Sequence, residues 1–122
     1  MPFTLRYSGR VMRKTNPSFL NGVPELLMLK LLSRRPMYGY EIVRAIQTES
    51  AAAFTFGEGC IYPYLHHLER EKLVVSQRKE VNGRSRNYYE LSQRGERRLV
   101  ELSADWQRVA TGISLLMEGQ HA

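Results

Sequence analysis

The chain has 122 residues, which suits one domain of ordinary size, a length at which dimerisation often adds stability. Its 18 basic and 12 acidic residues leave a net charge of +6, which points to an anionic partner such as nucleic acid, or simply to solubility. One cysteine excludes an internal disulfide and suits a reducing cytoplasm; no apolar run approaches the roughly 20 residues that span a membrane, and Met1-Pro2-Phe3-Thr4 lacks the apolar segment of a signal peptide.

Residues 1–22 read as a basic arm with Arg6, Arg10, Arg13 and Lys14 and no acidic residue. Gly9, Asn16, Pro17, Asn21 and Gly22 break any long helix there. Such an arm either tracks phosphates or enters a minor groove, or it packs on a partner subunit. The next unit is expected over residues 23–91, and a last helix with its tail over residues 92–122.

The first helix is expected from about Val23 to Arg34. Leu26, Leu27, Leu29, Leu31 and Leu32 make it apolar nearly all round, so it should be largely buried. Arg34-Arg35-Pro36 stops it, with cations at the negative helix end and a proline beyond. Arg34 and Arg35 fit either that role or a phosphate contact. The second helix should span Gly39 to about Glu49, with Ile42, Val43 and Ile46 inward. Phe54 and Phe56 should pack the turn that follows, and Tyr40 should be the buried member of the Tyr38/Tyr40 pair.

The third helix is expected from about Cys60 to Glu71, with Ile61, Leu65 and Leu68 on one face at i, i+4 and i+7. Pro63 is read as sitting in the first turn, where a missing N–H costs little. Tyr62, Tyr64 and His66 stand near the N-terminal end. His66 and His67 are adjacent, so they point to different faces and do not make a metal pair. After Leu73-Val74-Val75, a polar strand runs to Glu80. Asn82-Gly83 marks a two-residue hairpin, because a type I′ turn needs positive φ at both centres. The return strand should run from about Arg86 to Leu91. Between Arg78 and Arg98 there are seven basic and three acidic residues, the densest positive stretch in the chain.

The last helix should start near Ser92 and reach about Met117. Leu99, Leu102, Trp106, Val109, Ile113 and Leu116 follow spacings of 3, 4, 3, 4 and 3, a heptad seam. A stripe of this kind must bury against something, and a second copy is the simplest partner. The expected class is therefore mainly α with a small β-hairpin (α+β): a winged helix-turn-helix followed by a C-terminal dimerisation helix.

Met37-Tyr38-Gly39-Tyr40-Glu41-Ile42, the run Gly59 to Glu71 (GCIYPYLHHLERE) and Arg86 to Gly95 (RNYYELSQRG) stand in an order that resembles the PadR family of bacterial transcriptional regulators. The resemblance covers about Phe19 to Met117. It implies a DNA-binding regulator, commonly a repressor of its own or a neighbouring promoter. It further implies a DNA-backbone contact from the Tyr-Gly-Tyr segment, here Tyr38, and base reading by the third helix. Tyr62, Tyr64 and His66 are the base-reading candidates, and Arg78, Arg84 and Arg86 are the wing candidates. Some relatives bind flat, hydrophobic effectors between the terminal helices, where Trp106 would stack; a Trp that merely fills a dimer core is the alternative. Where the family has threonine as a helix cap, this chain has Cys60. That substitution suggests a weaker cap, costing roughly 1 kcal/mol, and either a redox-sensitive thiol or a neutral change. No cofactor or metal is implied.

The partners expected are double-stranded DNA, a second copy and a small hydrophobic or aromatic effector. A winged-helix protein–protein module is the competing class, against which the arginines weigh. Catalysis finds no carboxylate pair, phosphate loop or metal set, and Cys60 with His66 or His67 is the only conceivable nucleophile–base pair.

Overall fold

Four helices and one three-stranded antiparallel sheet make up the described part of the chain. The computed structural model describes residues 21–119, so Arg6, Arg10, Arg13 and Lys14 of the expected arm lie outside it. Helix α1 (Val23–Leu32) starts from Gly22, whose φ of 82° is open to glycine. Met28, Leu29, Leu31 and Leu32 are buried, as an all-round apolar helix requires. It ends two residues short of Arg34, where the Ser33 hydroxyl donates to the Lys30 carbonyl at 2.6 Å. Arg34 and Arg35 reach the next helix instead of serving the end of their own. Arg34 pairs with Glu49 at 2.6 Å, and Arg35 with Glu41 at 3.3 Å.

Strand β1 (Met37–Tyr38) was not foreseen, since two residues carry no periodicity. It pairs with the wing, Met37 opposite Tyr89 and Tyr38 opposite Tyr88. Helix α2 (Gly39–Glu49) follows at once, and the Glu41 carboxylate accepts the Tyr38 N–H at 3.1 Å. Ile42 and Ile46 face the core. Tyr40 was expected to be buried and is exposed, whereas Tyr38 is half-buried. Tyr38 lies within a strand pair, and Tyr40 lies on the outer face of a helix. In the turn after α2, Phe54 and Phe56 stack at 6.3 Å, as their packing role predicted.

Helix α3 (Glu58–Arg70) begins two residues earlier than expected, and this changes two readings. Gly57 is the N-cap, with its carbonyl accepting from Cys60 and Ile61 at 3.0 Å. Cys60 is thus the third helical residue and caps nothing, so the expected loss from a weak cap does not arise. Pro63 is the sixth helical residue, beyond the first turn. Its missing donor would have met the Gly59 carbonyl, which lies at an exposed residue where water can serve it. Ile61, Leu65 and Leu68 are fully buried, each worth about 1.5–3 kcal/mol. The helix closes through Lys72 in the left-handed region (φ 65°), with the Leu73 N–H returning to the Leu68 carbonyl at 2.9 Å.

Strands β2 (Val74–Val81) and β3 (Arg84–Leu91) form the wing hairpin, and the sheet order is β1-β3-β2. Val81 pairs with Arg84, leaving Asn82 (φ 54°) and Gly83 (φ 78°) as the turn, in keeping with the Asn-Gly signal. Helix α4 (Gln93–Glu118) has 26 residues and is about 39 Å long. Ser92 caps it, accepting the Gly95 N–H at 3.0 Å and donating its hydroxyl to the Lys72 carbonyl at 2.7 Å. Arg98 bridges to Glu25 at 3.1 Å, tying α4 to α1. Leu99 and Leu102 pack against the core of this same chain, while the rest of the heptad stripe faces outward. The architecture is the expected winged helix-turn-helix of mixed α+β class, with a long last helix running off it.

Candidate nucleic-acid interface

One tyrosine and one histidine of α3 face the wing because the helix turns about 100° per residue. Tyr62 and His66, four apart, share a face; Tyr64, two along from Tyr62, points away. A cleft between α3 and β3 is lined by Tyr38, Tyr62, His66, Arg78, Arg86 and Tyr89, among others. Five of the seven residues expected to touch DNA therefore meet in one place. Tyr64 does not. It is half-buried on the core, its ring edge-on to His67 at 6.4 Å. Arg84 stands exposed at the wing tip, two residues and roughly 7 Å along β3 from Arg86.

The cleft is built by close approach. A Cβ added to Gly39 would lie 2.5 Å from the Tyr62 ring, so glycine at the start of α2 lets Tyr62 lie across it. The Arg86 guanidinium sits 4.3 Å from the centre of the Tyr38 ring, a cation–π contact, and Tyr38 meets Tyr88 edge-on at 5.4 Å. Lys79 covers the Tyr88 ring at 5.6 Å, and Arg78 donates to the Asn87 amide oxygen at 3.3 Å. Among the described residues, Arg78, Arg84 and Arg86 have no carboxylate in salt-bridge range. The Arg86 charge is held in place by a ring and that of Arg78 by an amide, and neither is neutralised. Burial raises the pKa of the Tyr89 hydroxyl at the cleft floor, and nearby Glu69 adds to the shift. Asn87 and Gly39 were missed by the sequence reading, and nothing in a single sequence marks Gly39 as the seat of a side chain 23 positions away.

The matches to known proteins agree with the fold. The model of the transcriptional regulator PadR-like family matches residues 28–101, which run from α1 through the wing into α4. This chain belongs to the PadR-like family of transcriptional regulators. An uncharacterized protein of Lysinibacillus sphaericus is 30% identical to it over 101 residues, 82% of this chain and 93% of that one. The crystal structure of a PadR-like transcriptional regulator from Bacillus cereus is similar, with a TM-score of 0.77 and 31% identity over 84% of this chain and 99% of its own. The transcriptional regulator YqjI of Escherichia coli is 34% identical over 62 residues, 51% of this chain but 30% of its own length.

Trp106, Val109, Ile113 and Leu116 are exposed by 46–77% along the second half of α4. Cys60 is half-buried against the core edge of α3. No group of three or more metal-ligating side chains occurs among the described residues, nor does any helix there that is long and apolar enough to cross a membrane.

Proposed function

We propose that this PadR-like regulator acts as a dimeric repressor, laying α3 in the major groove of promoter DNA with the wing on the flanking backbone. The observation that carries the reading is the cleft that gathers Tyr38, Tyr62, His66, Arg78 and Arg86 with un-neutralised cations. Tyr62 and His66 offer hydroxyl and imidazole groups to base edges, and Arg78, Arg84 and Arg86 supply phosphate affinity without choosing sequence. The exposed Trp106–Leu116 stripe supports the dimer, because an apolar patch of this kind on a charged chain calls for a cover. Two copies would present two α3 helices to half-sites roughly 10 bp apart or a multiple of that. Such a role places the protein in the cytoplasm with the chromosome.

A planar hydrophobic effector is the second part of the proposal. On a single chain Trp106 lies on an open helix face, so any pocket there is made by two copies. The effector would shift DNA affinity only by its differential binding to the two dimer arrangements. Planar aromatic compounds should then quench the fluorescence of Trp106, the chain's one tryptophan. A varied panel that leaves the signal unchanged removes the effector and leaves the dimer reading intact.

The test of the DNA role is fluorescence anisotropy on the protein's own upstream DNA and on a random duplex, across a salt series. Tighter binding to the upstream DNA with a steep loss in salt is expected. Binding to neither, even at low salt, refutes it and favours the protein–protein module. Sedimentation should find a dimer that Ile113→Glu dissociates; a monomeric wild type refutes the seam.

A further inference from the structure

We propose that Arg44, held by Tyr40 on the outer face of α2, grips a DNA phosphate beyond the α3–wing cleft. The proposal rests on the DNA-reading function above and extends its footprint to the first helix of the helix-turn-helix. Tyr40 is exposed, and its hydroxyl accepts from Arg44 Nη1 at 3.2 Å, while the guanidinium lies 5.9 Å from the ring centre. Neither Glu on α2 neutralises Arg44. Glu41 is turned to the Tyr38 N–H and Arg35, and Glu49 is paired with Arg34.

Tyr40 lines the recognition cleft on one side and the Arg34–Arg35 depression on the other, so Arg44 stands one side chain outside the cleft. The arrangement repeats that of Arg86 on Tyr38 at 4.3 Å. Each tyrosine of one Tyr-Gly-Tyr segment thus steadies an arginine without cancelling its charge. A guanidinium held in that way is weakly hydrated, planar and suited to a phosphate oxygen pair. The contact would add affinity on any sequence and carry no base information.

The test is anisotropy on the upstream and random duplexes with wild type, Arg44→Gln, Arg44→Lys, Tyr40→Phe and, as a distant control, Arg108→Gln. Each lost phosphate contact should lower the slope of log K against log salt by about 0.9, which at 0.1 M salt is an affinity loss of about eightfold per bound protomer and about sixtyfold for the dimer. Arg44→Gln should show that loss equally on both duplexes. Arg44→Lys should keep the slope, and Tyr40→Phe should keep it with weaker binding. Arg108→Gln should match wild type. An Arg44→Gln protein with wild-type slope and affinity overturns the proposal while leaving the DNA function standing. So does a loss confined to the upstream duplex, which would mark base reading. A wild type that binds neither duplex removes both.

Discussion

Gly95→Ala is the sharpest test of how the last helix is seated, because two rules predict opposite signs. In a helix interior alanine is favoured over glycine by about 1 kcal/mol, so propensity alone predicts stabilisation. Gly95 is buried in the first turn of α4, and a Cβ there would lie 2.1 Å from the Leu73 carbonyl oxygen and 3.0 Å from Leu91 Cδ2. The first obstacle is backbone and cannot rotate away. Either α4 lifts or the Leu73 segment yields. Lifting α4 strains the Ser92 N–H to Leu73 carbonyl bond (3.1 Å) and the Ser92 hydroxyl to Lys72 carbonyl bond (2.7 Å). Each is worth about 1 kcal/mol, and overpacking adds about 1–3 kcal/mol. Against the propensity gain, the net loss is about 2–4 kcal/mol, a large share of a domain's usual 5–15 kcal/mol. Urea titration followed by circular dichroism at fixed protein concentration measures it, with a drop of roughly 10 °C in Tm as the thermal counterpart. A Gly95→Ala protein as stable as wild type, or more so, refutes the crowding argument.

Three further outcomes are expected. Gly39→Ala puts a methyl 2.5 Å from the far end of the Tyr62 ring, which can swing aside. The fold should persist while DNA affinity falls by about 1–2 kcal/mol, roughly tenfold; unchanged affinity would show that the Tyr62 position is unimportant to binding. Lys72→Gly relieves a left-handed residue (φ 65°) at a helix end and should stabilise by about 0.5 kcal/mol in the same urea assay. A destabilised variant would mean that the Lys72 side chain matters more than its backbone. Burial raises the folded-state pKa of Tyr89 above 10.0, so the folded state holds that proton more tightly than the unfolded state. The resulting stability is complete at pH values below 10 and is lost as pH rises through the folded value. Tyr89→Phe should therefore flatten the decline in stability above pH 10, and parallel wild-type and variant curves would contradict this.

Much of the architecture was legible in residue order alone. The i, i+4, i+7 pattern of Ile61, Leu65 and Leu68 announces a helix with one buried face, and all three are fully buried. Asn82-Gly83 marks its turn because positive φ at two successive residues is a local requirement met by few sequences. The heptad spacing from Leu99 to Leu116 marks an apolar stripe regardless of what covers it. These signals are local: they depend on backbone sterics and on periods of 2 and 3.6 residues, which a chain carries whatever its neighbours.

What tertiary structure decided is where segments far apart in sequence meet. Strand β1 exists because Met37 and Tyr38 find Tyr89 and Tyr88 about 50 positions later, a pairing with no period to betray it. Tyr40 is exposed and Tyr38 half-buried for the same reason. Tyr62 and Tyr64 looked alike in the sequence, yet one crosses Gly39 and the other packs against the core beside His67. The stripe on α4 divides, leaving Leu99 and Leu102 partly buried against the core and Trp106, Val109, Ile113 and Leu116 outside. Spacing along a helix says which residues share a face; only packing says what that face meets.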